Sequence, residues 1–260
     1  LPDTLTSIGC CAFYEQENLE NIIIPESVSE IEDNAFARCS ALKGAELPEG
    51  IEKMGRMVFA YCTAFTSTEA VKLSSQMDYI PEGMYYGCSG ITEIIIPEGV
   101  KTIKANAYDG LSKVQELEIP ESVEEIYSQA FNGMSSLQKV TIPVDYQYLS
   151  KLGDPFGKSP VQEICYTRGK TGIMPDTNPG YGYDNSFSRR LECAVQDTLK
   201  KVSFEEGITR IGAYTYGYWY GRSGDGYHTN LTEINLPDTL TSIGCCAFYE
   251  QENLENIIIP

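Results

Sequence analysis

Histidine occurs once in this 260-residue chain, at His228. A serine or cysteine triad uses histidine as its base, so nucleophilic catalysis of that kind has little to draw on. Basic residues are scarce as well, with 19 Lys and Arg against 37 Asp and Glu, for a formal charge of -18. A surface of that sign repels phosphate backbones and anionic membranes, which argues against nucleic acid as a partner. Long apolar runs are missing: the longest are short pieces such as Ile22-Ile23-Ile24, far below the roughly 20 residues a membrane-spanning helix needs. No leader peptide is visible at Leu1. There is no Cys-x-x-Cys pair for zinc. The glycine-rich stretch Gly221 to Gly226 lacks the Lys-Ser/Thr that would make it a phosphate loop. Paired carboxylates can hydrolyse glycosides, but so acidic a chain holds many accidental pairs. The expectation is a non-catalytic chain with no metal and no cofactor.

What the sequence has in abundance is itself. Prolines fall at Pro2, Pro25 and Pro48, at Pro97, Pro120 and Pro143, and at Pro237 and Pro260, each group stepping by 23 residues. After Pro97 come Val100, Ile103, Ala107, Tyr108, Leu111, Val114, Leu117 and Ile119; after Pro120 the same places hold Val123, Ile126, Ala130, Phe131, Met134, Leu137, Val140 and Ile142. The residues between wander among Glu, Ser, Lys and Asn, so the constant places are core. A unit this short cannot bury its own apolar face and must stack on neighbours. The stretch before each proline alternates and is β-branched, which predicts a short strand that the proline ends. Val-x-x-Ile predicts a second short strand, and Ala-Phe-x-x-Cys a compact helical or 3-10 turn around a phenylalanine spine.

The pattern Leu-x-x-Ile-x-Ile-Pro-x-x-Val-x-x-Ile-x-x-x-Ala-Phe-x-x-Cys-x-x-Leu, which Leu19 to Leu42 follows almost letter for letter, resembles the BspA-like, or Treponema-type, leucine-rich repeat proteins. The resemblance implies a right-handed curved solenoid, here of about ten 23-residue units. It also implies a cell-surface or secreted protein of host-associated bacteria or some protists, several members being described as adhesins. On this reading the whole chain, 1–260, is one solenoid. Units at 2–166 and 205–260 are regular, 167–204 is degenerate, and an aromatic insertion spans about 217–230.

Two surfaces offer themselves for binding. Unit positions 19, 20 and 22, counted from the proline, point outward from the pre-proline strand and would line the concave face. They carry Glu93, Glu116, Glu118, Glu163 and Glu233, together with Glu20, Glu46 and Glu255. Stacked like charges would add into a field suited to a basic partner, although polar residues also simply keep a sheet face soluble. The loops add Tyr181, Tyr183, Tyr218, Trp219, Tyr220, Tyr227 and His228. Tyr and Trp give large contact area at low entropic cost, and the same rings could instead cover the gap left by the degenerate unit. Tyr216 takes the core phenylalanine slot.

Cys39, Cys62 and Cys88 share unit position 15 with Leu111 and Met134 and read as core filler, since parallel neighbours point the same way and disfavour a disulfide. Cys165, at position 22, reads as an accessible thiol. The functional expectation is adhesion to a protein of a host or neighbouring cell. Recognition of a glycan beside another domain, and a spacer role, are the alternatives. The first 25 residues, Leu1 to Pro25, recur without change at Leu236 to Pro260. This points to a duplicated block of the array, or to one stretch read twice, and to a piece of a longer protein that continues ESVSEIEDNAF.

Overall fold

In the computed structural model, which describes residues 1–144, 154–176, 198–213, 215–216, 230–249 and 251–259, the 23-residue step becomes a coil. Each proline-to-proline unit makes one circuit, and equivalent residues of successive circuits lie side by side. About nine circuits form a parallel β-solenoid with almost no helix. They fall into two compact units, Leu1–Leu137 with Ser150–Ser159, and Gln138–Leu149 with Pro160–Pro260.

Both predicted strand types are present. In the first unit the Val-x-x-Ile strands pair in parallel, Ser7–Ile8 with Glu30–Ile31 and Lys53–Met54, and Tyr79–Ile80 with Thr102–Ile103 and Glu125–Ile126. The register sets Ile8 against Ile31 and Met54, so each core residue meets its own repeat equivalent. Before the prolines, Ile22–Ile23, Ala45–Glu46 and Val71–Lys72 form the second sheet. In the second unit the pre-proline strands are longer: Lys139–Pro143, Glu163–Thr167, Lys201–Phe204, Glu233–Asn235 and Asn256–Ile258 lie in that order. Arg210–Ile211 pairs with Ser242–Ile243 on the other side.

The Ala-Phe segment consists of 3-10-type turns. The Ala37 N–H reaches the Asn34 carbonyl at 3.1 Å and the Cys39 N–H reaches that of Phe36 at 3.4 Å. Among the described residues the one regular 3-10 helix is Thr68–Ala70, in the unit with three extra residues. Each turn places two residues in the left-handed region, four apart: Asn34 and Arg38 at φ 57° and 61°, Met57 and Tyr61 at 54° and 60°, Gly83 and Gly87 at 61° and 67°. That twist aims alternate N–H groups at the next circuit. Phe36 N–H meets the Val58 carbonyl at 2.9 Å, and Arg38 N–H meets that of Ala60 at 2.7 Å. A third ladder therefore joins the circuits where no strand exists, and it satisfies the turn backbone without water.

All eight constant positions after Pro97 and after Pro120 are buried. The ring position forms stacked columns. Phe13, Phe36 and Phe59 stack with centroids 5.2 and 5.4 Å apart, and Tyr85, Tyr108, Phe131 and Phe156 continue at 5.5, 5.5 and 5.3 Å. In the second unit Tyr216 occupies this slot as expected, 5% exposed and stacked on Phe248 at 5.7 Å.

Candidate binding surfaces

Within the core the position-15 side chains form a polar ladder of their own. The thiols of Cys39, Cys62 and Cys88 donate to the carbonyls of Phe13, Phe36 and Phe59 at 3.0, 3.3 and 3.1 Å. Ser159 makes the same bond to the Phe131 carbonyl at 2.8 Å. A small donor here meets a carbonyl that the turn ladder does not use, so the cysteines hold successive circuits together. They are fully buried and not disulfide-bonded. Burial raises the Cys62 thiol and pushes Cys88 up to about 12. At pH 8, Cys88 should therefore alkylate at least about a thousandfold more slowly than an ordinary thiol near 8.5, whereas Cys10 and Cys11, both exposed, label in the native chain. Peptide mapping after brief iodoacetamide treatment, with and without urea, checks this; native labelling of Cys88 at the rate of Cys11 would show that the ladder opens.

Cys165 differs from the sequence reading. It is half-buried rather than open, its thiol donates to the Glu163 carboxylate at 3.4 Å, and burial followed by that contact raises it.

On the outward sheet face of the second unit, register decides the electrostatics. Position 20 reads Lys139, Glu163, Lys201, Glu233 and Asn256 across the strands, and position 22 reads Thr141, Cys165, Ser203, Asn235 and Ile258. Lys201 lies 3.7 Å from Glu163 and 3.3 Å from Glu233. Hydrogen bonds from Asn235 and then Lys201 hold the Glu233 carboxyl below its usual range. In the first unit Glu20 pairs with Lys43 at 2.7 Å, which lowers its carboxyl, and Glu46 lies abreast of Lys72. Glu116 and Glu118 flank buried Leu117 on an outward strand edge, and Glu93 forms a single bridge with Ser67. The glutamates thus stand on or beside the pre-proline strands, but at Glu20, Glu163 and Glu233 the sign alternates between neighbouring circuits and the summed field is cut.

Tyr181, Tyr183, Tyr218, Trp219, Tyr220, Tyr227 and His228 lie outside the described residues.

The sequence reading passed over a second surface, on the turns of the first unit. Positions 10, 13 and 14 of successive circuits form the walls and floor of a trough of about 460 Å³. Asn34, Met57 and Asn106 line it from position 10, buried Ala37 and Ala60 from position 13, and Arg38 and Tyr61 from position 14. Tyr14 lines it from the first of its circuits, and Tyr86, Asp109 and Gln129 from the last three. Tyr61 packs edge-on to Tyr86 at 5.3 Å, and the Arg38 guanidinium sits 5.2 Å from the Tyr61 ring centre while its Nη1 reaches Glu15 at 3.3 Å. Past Tyr61, position 14 turns to glycine at Gly87, Gly110 and Gly133. A Cβ on Gly87 would stand 2.6 Å from the Tyr61 ring, so that glycine is what lets the ring lie down. Reading positions 13 and 14 as columns, as position 15 was read, would have revealed the aromatic-alanine pattern.

Comparison with known proteins agrees with this architecture. The BspA type leucine rich repeat region matches in six copies, over residues 1–72, 64–168 and 226–260. The chain belongs to that family, which is defined by its repeat and not by a reaction. Among solved structures it is similar to a leucine-rich repeat protein from Bacteroides ovatus ATCC 8483, at 20% identity over 96% of this chain and 81% of that one, with a TM-score of 0.43. It is also similar to a leucine rich cell surface protein from Faecalibacterium prausnitzii A2-165, at 19% identity over 96% and 82%, TM-score 0.33. The pneumococcal vaccine antigen PcpA shares 18% identity over 92% of this chain and 64% of that one, TM-score 0.40. No match emerged among curated proteins.

Proposed function

We propose that the chain is a non-catalytic binding module, displayed on a cell surface or secreted, that adheres to a protein of a host or neighbouring cell. The observation that carries this reading is the sheet face of the second unit. Over its first four strands the two outward columns, one of alternating charge and one of small side chains (Thr141, Cys165, Ser203 and Asn235), are held rigid by the strand ladders. Rigid side chains lose little entropy on contact, and alternating charge gives a partner a register to match.

The test presents the intact chain to an array of immobilised extracellular-matrix proteins and follows up with Lys201→Glu. That substitution sets three carboxylates abreast where Lys201 now bridges two. These half-buried pairs contribute only modestly to stability, so the fold is kept, as an unchanged thermal midpoint would check. Binding to an array protein is expected to weaken by about tenfold or more, the size of one lost interfacial charge contact. Binding that is indifferent to Lys201→Glu would remove the sheet face from the reading, and Trp219→Ala with Tyr220→Ala would then ask whether the loops carry it. A blank array with matrix proteins and host-cell lysate alike would overturn adhesion to protein altogether.

A further inference from the structure

We propose that the trough on the turns of the first unit is a binding site for a neutral oligosaccharide, separate from the sheet face and independent of the protein-binding reading. Three features carry this. The first is shape. From the circuit of Tyr14 to that of Tyr86 the trough crosses three inter-circuit steps of about 4.8 Å each, so it accepts two or three linked rings rather than one small molecule. The alanine floor is the reason it exists. Position 13 carries Tyr14, then Ala37 and Ala60, then Tyr86 and Asp109, which leaves two consecutive circuits low between taller neighbours, their methyls almost wholly covered at 2% and 1% exposed.

The second is chemistry. What remains in the trough is a set of planar groups. Tyr14 and Tyr61 are 36% and 39% exposed, and amides from Asn34, Asn106 and Gln129, a guanidinium from Arg38 and the Asp109 carboxylate stand around them. Flat aromatic surface takes the C–H face of a pyranose, and fork-shaped amide, guanidinium and carboxylate groups each hold a pair of adjacent hydroxyls. These groups are already placed. Asn132 donates to Asp109 at 3.1 Å, and Glu15 and Tyr61 hold Arg38 from two sides. Little ordering remains to be done when a ligand arrives.

The third is what the trough lacks for a peptide. An extended peptide gains most by adding main-chain hydrogen bonds to a free edge. Here the turn backbone is spent on the inter-circuit ladder: Phe36 N–H to Val58, Arg38 N–H to Ala60, Tyr61 N–H to Tyr86, and Gly87 N–H to Asp109, at 2.7 to 2.9 Å. The charge of -18 selects a neutral glycan over an acidic one, because an anionic sugar would be repelled by the chain as a whole.

The repeat itself supplies variants that keep the fold. Position 13 is already alanine at Ala37 and Ala60, so Tyr14→Ala places nothing new there. Position 14 is already glycine in the left-handed conformation at Gly87, Gly110 and Gly133, with φ of 67°, 81° and 69° against 60° at Tyr61. Tyr61→Gly therefore removes the ring and relieves a backbone that glycine prefers. The intact chain is titrated calorimetrically with cellotetraose, maltotetraose, chitotetraose and mannotetraose. At least one is expected to bind, with Tyr14→Ala or Tyr61→Gly weakening it about tenfold or more, and Tyr61→Phe and Lys201→Glu leaving it within about threefold. Equal thermal midpoints for wild type and variants exclude misfolding as the cause. The proposal is overturned if none of the four binds at about 5 mM, if a bound sugar is indifferent to both Tyr14→Ala and Tyr61→Gly, or if a poly-serine peptide competes at the trough while the sugars do not. Because Lys201→Glu acts on the sheet face alone, failure here and failure of the adhesion reading are told apart.

Discussion

Replacing Phe36 by alanine is expected to cost about 3–5 kcal/mol, the range for emptying a fully buried aromatic site. Phe36 is 0% exposed and lies between Phe13 and Phe59 at 5.2 and 5.4 Å. Its loss removes two ring contacts as well as its own burial. The cavity has little chance to collapse, because both neighbouring rings are tied to their circuits by the turn ladder. In a solenoid each circuit is stabilised by the one on either side, so the damage should be local. Urea unfolding followed by circular dichroism measures the cost, with exposed Glu52→Ala as a control expected to stay within about 0.5 kcal/mol. Hydrogen exchange should accelerate first in residues 1–73. A cost below about 1.5 kcal/mol would mean that the ladders, not the ring column, hold these circuits together.

The second large effect concerns a residue with no side chain. Gly90→Ala would put a Cβ 2.1 Å from the Thr63 carbonyl oxygen and 2.5 Å from that of Phe65. Neither atom can rotate away, since both belong to the backbone of the neighbouring circuit. Overpacking of this kind costs about 1–3 kcal/mol, occasionally more. Gly50 provides the opposite sign. Its Cβ would meet nothing closer than the Glu26 carbonyl at 3.8 Å, so Gly50→Ala should be neutral or stabilise by up to about 1 kcal/mol through the unfolded chain. Melting the two variants side by side checks both. A Gly90→Ala protein as stable as Gly50→Ala would show that the circuits spread apart readily.

The fold was legible because it depends on a pattern that repeats. Eight places per unit are apolar, and a circuit has one inside, so the residues that recur, such as Ile103, Tyr108 and Leu117, had to be the buried ones. The proline marked where the short strands of the first unit stop, although at Pro143 the pairing runs through to Thr167. The surfaces were less legible, because lateral neighbours on a solenoid are far apart in sequence. Glu20 meets Lys43 after 23 residues, but Glu163 meets Lys201 after 38, the interval having been stretched by the degenerate segment. Counting glutamates at outward positions therefore missed the alternation of sign across the strands. The trough was missed for a related reason. Ala37 and Ala60 look like ordinary small residues in the chain, and only side-by-side stacking turns them into a floor.

The two copies of the 25-residue stretch separate what each level decides. Their letters are identical, and so are the local choices: Cys11 and Cys246 both take the left-handed conformation, at φ 56° and 53°, and Ser7–Ile8 and Ser242–Ile243 are both strands. Turn geometry and strand position were thus written in the sequence, because they follow from backbone sterics and the alternation of side chains. Burial was not. Ile8 is 2% exposed and its counterpart Ile243 is 42%; Ile24 is 3% exposed and Ile259 is 72%. The first copy packs against the regular circuit of residues 26–47, and the second against the circuit of Arg210–Ile211 and Glu233–Asn235, which follows the degenerate segment. Apolar surface leaves water only when a neighbour covers it. For that reason the degree of burial at each copy, the charge pairing and the trough belong to the tertiary structure.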